Sequence, residues 1–207
     1  MTGRNYAIVV ILMAGATLAI GVTANYVAKT AATASSEKVD STFTSEFSLL
    51  NQNGHPVTAD DLRGRFQLVF FGYTSCPDIC PTAMVKIGQV LDELGPADAA
   101  RIVPIMISVD PERDTPAVLK QFQAQFDPRI VALTGTARQV ADALRNFRAF
   151  AAKQEGRNGE YTMDHTSFYY LMAPDGVFQG ILAARGEVDE IVDGIRVAMP
   201  DPARVSG

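Results

Sequence analysis

Cysteine is scarce in this chain: two thiols among 207 residues, too few for a disulfide framework. Basic side chains are also in short supply. Net charge is −5, and Arg4 and Lys29 are the only charges before Glu37, which leaves sixteen basic against twenty-three acidic side chains in the remainder. An acidic body with a pI near 5.0 excludes nucleic acid as a partner, because phosphate binding needs a basic face. No internal repeat is present. What the chain does have is apolar side chain, 47% against 20% charged, the mix of a globular protein with a real core. Its length suits one domain plus extensions.

Residues Tyr6 to Ala28 carry no charge. At 1.5 Å per residue, a helix over this run can cross a hydrocarbon core of about 30 Å. Arg4 and the amino terminus precede it, so the positive-inside rule keeps residues 1–5 cytoplasmic and exports everything after Lys29. A cleaved signal peptide is the rival reading, with Ala32-Thr33-Ala34 as a small-residue cleavage site; the apolar run exceeds the usual length of such signals. No cysteine follows the run, which excludes a lipoprotein anchor. The expected layout is a transmembrane anchor (6–28), a linker rich in Ala, Ser and Thr (29–42), a globular domain (43–200) and a short tail (201–207). The expected location is a bacterial inner membrane, crossed once, with the domain in the periplasm.

Within the domain, Phe47–Leu50 and His55–Val57 read as a hairpin turning at Asn53-Gly54. Thr58–Gly64 reads as one helical turn. Gln67–Gly72 is a continuous apolar run, as expected of a strand buried on both faces. Pro81–Leu94 has helical spacing at Met84, Ile87, Val90, Leu91 and Leu94, and Gly95-Pro96 ends it. Ile102–Val109 is a second strand, with Pro104 expected near its start or at an edge. Asp110–Pro116 is a loop entering a helix with Val118, Leu119, Phe122 and Phe126 on its buried face. Ile130–Leu133 is a short strand, and Ala137–Ala151 a helix with Phe147 and Phe150 inward. Lys153–Glu160 is polar and reads as a loop. Thr166–Ala173 and Val177–Ala183 form an antiparallel pair around Pro174-Asp175-Gly176. Gly186–Met199 is a closing helix. Alternating strands and helices predict an α/β fold with a mostly parallel sheet and antiparallel strands at one edge. A cysteine pair where a central strand turns into a helix makes this frame thioredoxin-like.

The pair, Cys76 and Cys80, sits one helical turn apart at a helix N-terminus, where the dipole and free N–H groups favour thiolates. Pro77 and Pro81 stiffen the loop. Three readings compete. A plain disulfide closes only a five-residue loop, worth about 2 kcal/mol in the chain-entropy model, a small return for a staple. Thiol–disulfide exchange usually has two residues between the cysteines, and this pair has three; the proline that commonly faces such a pair is missing from Met163–Ser167. The third reading is a metal. His165 occupies the facing position, and two thiolates with one imidazole form a set that suits soft Cu(I). Zinc would want a fourth ligand, for which Asp78 or Asp164 could supply an oxygen. Met163 is a lesser ligand candidate. A peroxidase of the same frame would pair the thiol with Thr74 and an arginine, but no arginine lies near the motif in sequence.

Three segments, Gly72–Pro81, Ser108–Pro116 and Asp164-His165-Thr166 followed by Tyr170–Gly176, resemble the SCO/SenC family of copper proteins, over roughly residues 43–199. The resemblance implies a thioredoxin-like domain held by one N-terminal membrane helix. It implies copper on Cys76, Cys80 and His165, with Cu(I) favoured over Cu(II), and delivery to the binuclear copper centre of cytochrome c oxidase subunit II. Thiol reduction of that subunit or of other periplasmic copper chaperones is the alternative role, with Cys76 and Cys80 as a redox disulfide and thioredoxin-like reductants as partners; whether the protein is an enzyme stays open. Asp78, Asp110 and Asp164 are candidates for the surroundings of the metal or for docking. The Lys153–Glu160 loop is expected to let His165 swing during metal release.

Overall fold

The computed structural model describes residues 45–156 and 160–199. Chain contacts divide it into two units, Met1–Thr42 and Phe43–Gly207, and the fold below is that of the second. The expected membrane anchor, linker and tail lie outside the described residues. Among the described residues no helix is long and apolar enough to cross a membrane.

Among the described residues, nine strands and four α-helices follow one another as β1 (Ser48–Asn51), β2 (Pro56–Thr58), β3 (Phe66–Gly72), α1 (Ile79–Ala99), β4 (Ile102–Ser108), α2 (Pro116–Gln123), β5 (Val131–Thr134), α3 (Ala137–Asn146), β6 (Ala151–Glu155), β7 (Tyr161–His165), β8 (Phe168–Met172), β9 (Phe178–Ala183) and α4 (Val188–Ala198), with a short 3₁₀ turn at Asp60–Leu62. Seven strands make one sheet in the order β2-β1-β5-β4-β3-β8-β9, and β6 and β7 form a separate two-stranded sheet. β3, β4 and β5 run parallel; β8 and β9 extend one side antiparallel and β1 and β2 the other. The α/β architecture of a mixed sheet flanked by helices is as expected, but the sheet is not mostly parallel: antiparallel strands lie at both edges, because β1 pairs antiparallel with β5.

The local chemistry explains the central elements. Every residue of β3 and β4 is buried, as two adjoining parallel strands covered by helices require. Pro104 sits inside β4, beyond the reach of β5, whose ladder starts at Ile105 opposite Val131. Gly54, at a φ of 80°, makes the β1–β2 turn, where the Asn51 side chain accepts hydrogen bonds from the Asn53 and His55 N–H groups. α1 begins two residues before the predicted start. It breaks at Gly95, whose φ of 79° is closed to most side chains, and Pro96 opens a last turn. Thr115 and Thr136 cap α2 and α3. On one face of the sheet α1 packs against α4, and the Tyr169 hydroxyl donates to the Ala83 carbonyl at 2.8 Å. On the other, Phe71 and Tyr170 meet Phe147 at the end of α3, ring edge to ring face.

Three further expectations need correction. α3 stops at Asn146, five residues early. Arg148 takes a φ of 49°, which reverses the chain, and Phe150 is left 60% exposed instead of inward. Lys153–Glu155 are not loop but part of β6, paired with β7 in register from Ala151↔His165 to Glu155↔Tyr161. Val118 is on the outer side of α2; Leu119 is the residue that buries fully.

Candidate metal centre

Three ligating atoms converge at the end of β3. The sulfurs of Cys76 and Cys80 and a ring nitrogen of His165 all lie within 4.8 Å of one another. The cysteines come from the β3–α1 junction. Cys80 is in the first turn of α1 and fully buried, while Cys76, just before the helix, retains 9% exposure. The Cys80 N–H, one of the free donors of a helix start, points at the Cys76 sulfur at 3.4 Å. His165 is the last residue of β7, on the separate two-stranded sheet. Its Nε2 lies 3.4 Å from the Cys80 sulfur.

The imidazole is oriented on three sides. Phe70 and Tyr73 meet the ring edge-on, at 5.8 Å between centroids in each case. Nδ1 lies 3.0 Å from the Thr166 carbonyl oxygen. A carbonyl only accepts, so Nδ1 carries the proton, and in the neutral ring the Nε2 lone pair faces the sulfurs. That is the tautomer a metal ligand needs, held in the usual way by a backbone oxygen.

The two thiols are electrostatically unlike. The Cys80 thiol beside it draws the pKa of Cys76 far below the usual thiol range, and His165 and the backbone N–H groups of Asp78 and Cys80 reinforce this against burial. Cys80 is pushed up, first because it is the donor to Cys76 and then by burial. Of the coupled pair, Cys76 is therefore favoured to lose its proton first.

The predicted acidic residues fall elsewhere. Asp78 is exposed and pairs with Arg185 at 3.3 Å. Asp164 points to the opposite side of β7 from His165 and accepts from the Gln154 side chain at 2.7 Å. Among the described residues no carboxylate joins the ligand group, so the fourth ligand zinc would want is not supplied there. Asp110 is buried, bonded to Arg113 and to the Tyr161 hydroxyl. Met163 is half-buried and lines a cavity of about 200 Å³ with Val140 and Leu144.

Two residues that frame the site lie in the Gly72–Pro81 and Ser108–Pro116 segments but are not among the predicted site residues. Asp114, fully buried, accepts from the Thr74 N–H (3.0 Å), the Thr74 hydroxyl (2.6 Å) and the Ser108 hydroxyl (2.6 Å), which fixes the segment leading into Cys76. This also commits the Thr74 hydroxyl that a peroxidase would need. Gly72 leaves space for Cys80: a methyl group there would stand 2.9 Å from the sulfur.

A family profile described as SCO1/SenC matches residues 35–200. The chain belongs to the SCO1/SenC family. Among its SCO1/SenC relatives, the mouse mitochondrial SCO2 homolog is 39% identical over 153 residues, 73% of this chain and 60% of that protein. The chain spans about half to two thirds of the length of the curated relatives it matches. Bradyrhizobium japonicum ScoI, solved with copper bound, is 42% identical and superposes with a TM-score of 0.68, covering 74% of this chain and 98% of that one. BsSco, described as a member of the Sco family of cytochrome c oxidase assembly proteins with a disulfide switch, is 28% identical, with a TM-score of 0.61 over 76% of this chain and 95% of that one.

Proposed function

We propose that this protein holds one copper ion between Cys76, Cys80 and His165 and serves in the assembly of cytochrome c oxidase. The observation that carries the reading is the convergence of two sulfurs and an imidazole whose Nδ1 is already committed to a carbonyl, leaving Nε2 free to ligate. Two soft thiolates and one neutral imidazole suit Cu(I) before Cu(II). Membership in a family with a copper-bound member supports the assignment.

The finer reading is delivery to the binuclear centre of oxidase subunit II. Residues 6–28 anchor the chain in the inner membrane and hold the domain on the periplasmic side. The sulfurs stand on the sheet–helix junction, whereas the imidazole stands on a two-stranded sheet that pairs only with itself. Release starts when His165 moves off with that sheet, leaving a two-sulfur site open to a partner's ligands.

Anaerobic Cu(I) titration of the reduced full chain in detergent, against a chromophoric chelator, tests the reading. One copper per chain is expected, with affinity at least about tenfold weaker in His165→Ala, a loss of about 1.4 kcal/mol. A stoichiometry far from one, or unchanged affinity in the variant, would overturn it.

A second reading, thiol reduction of a partner's copper-site cysteines, is favoured by one observation: Cys76, the sulfur at which the Cys80 N–H points, is also the less buried one. Oxidase assembly in cells separates the two. Retention in His165→Ala with loss in Cys76→Ser selects thiol exchange.

A further inference from the structure

The Asp110–Asp114 loop touches both sources of ligands. Through Asp114 it holds Thr74 and hence the cysteine segment. Through Asp110 and Arg113 it holds Tyr161, the first residue of β7. The Tyr161 hydroxyl donates to Asp110 at 2.8 Å, and the Arg113 guanidinium donates to the Tyr161 carbonyl at 3.1 Å. The phenol ring has two cations against it, Arg113 and Lys153, each 3.8 Å from its centroid. Lys153 bridges on to Glu112 at 3.0 Å, and Arg113 also lies 5.6 Å over Tyr73, whose ring abuts His165. Tyr161 and His165 share one face of β7 by the two-residue period of a strand. Among the described residues the β6–β7 sheet has no hydrogen-bonded neighbour strand, so these contacts, with Ala151 and Met163 packed on the core and His165 against Phe70 and Tyr73, tie it to the body.

We propose that Tyr161 is the positioning residue for His165: its clamp on Arg113, Lys153 and Asp110 docks the hairpin against the loop that also holds the cysteines, and so sets the imidazole's distance from the two sulfurs. Only the affinity arm of its test rests on the copper reading above.

Two cation–π contacts and a hydrogen bond to a charged acceptor together shift a docked–undocked equilibrium by about a hundredfold. Hydrogen exchange followed by mass spectrometry, on the reduced metal-free full chain in detergent, reads that equilibrium directly. In Tyr161→Ala, peptides from β6 and β7 should exchange about a hundredfold faster, with β3 and α1 unchanged. Tyr161→Phe, which loses only the hydroxyl's bonds to Asp110 and Glu112, should fall between. If the alanine variant does not fold, the phenylalanine variant decides: acceleration confined to the hairpin supports the clamp, and none overturns it. In the second arm, Tyr161→Ala should weaken Cu(I) binding toward the level of His165→Ala and change nothing further on a His165→Ala background. Independent, multiplying losses would overturn the proposal. A wild-type chain that binds no copper would sink the functional reading, while the exchange arm would still decide the clamp.

Discussion

Gly72→Ala is the smallest change that tests whether the site is as tightly built as it looks. Gly72 ends β3, pairs with Ser108 and accepts the Val109 N–H at 2.8 Å. An added methyl would stand 2.7 Å from the Phe70 ring edge and 2.9 Å from the Cys80 sulfur. Carbon contacts are comfortable only at about 3.5–4.0 Å, so a displacement of about 1 Å must be shared among these groups. Neither Phe70 nor Cys80 has any exposure into which to move. The Phe70 ring is also the support of His165 and Tyr169, at 5.8 and 5.6 Å. Relief by ring movement therefore disturbs the imidazole, and relief by sulfur movement disturbs a ligand. Overpacking of this kind costs about 1–3 kcal/mol. We expect a urea midpoint lowered accordingly in the reduced protein and Cu(I) affinity weakened by about tenfold to a hundredfold. Gly180→Ala, in β9 with open space around the added carbon, is the control and should change stability by less than about 0.5 kcal/mol. Wild-type stability together with wild-type affinity in Gly72→Ala would refute the steric argument.

Two further outcomes follow from the buried groups. Burial, against hydrogen bonds from Ser108 and Thr74, raises the Asp114 pKa above 3.8. As pH climbs past about 4 the unfolded chain loses this proton first, so the contribution is fully present in acid and is lost as pH rises through the folded pKa. Asp114→Asn should lose that decline in urea midpoints and, at pH 7, about 1–3 kcal/mol of stability for the unmet donors; parallel pH profiles would contradict this. In the reduced metal-free protein, iodoacetamide should modify Cys76 at a rate that stays flat well below pH 7, while Cys80 stays protected; peptide mapping that finds Cys80 modified first would reverse the assignment.

The elements that build the main sheet were legible because their signals are local. Seven consecutive buried residues in β3, the helical spacing of α1 and the Asn53-Gly54 turn each declare themselves in a short window. His165 was legible by topology, since the segment before the last hairpin must face the β3–α1 junction. The β6–β7 hairpin was not. Lys153, Gln154 and Glu155 are exposed and show no apolar alternation; they are held by pairing with β7 and, at Lys153, by Glu112 some forty residues away and the Tyr161 ring. α3 overran for a related reason: its apolar spacing continues to Ala151, but an arginine in the left-handed region breaks it where a glycine would have announced the end. Asp114 reads in sequence as part of a turn before a helix; only folding shows that it is fully buried under Thr74 and Ser108.

The distribution of ligands over two sheets has a mechanical consequence. Cys80 and His165 are 85 residues apart in the chain. A metal bonded to both closes a loop of that length, and a cross-link over such a loop removes denatured-state entropy worth about 4–5 kcal/mol in the chain-entropy model. That is comparable to the whole stability of a marginal domain. Binding and loss of the metal would therefore change how readily the molecule unfolds, by closing or freeing the segment from Cys80 to His165.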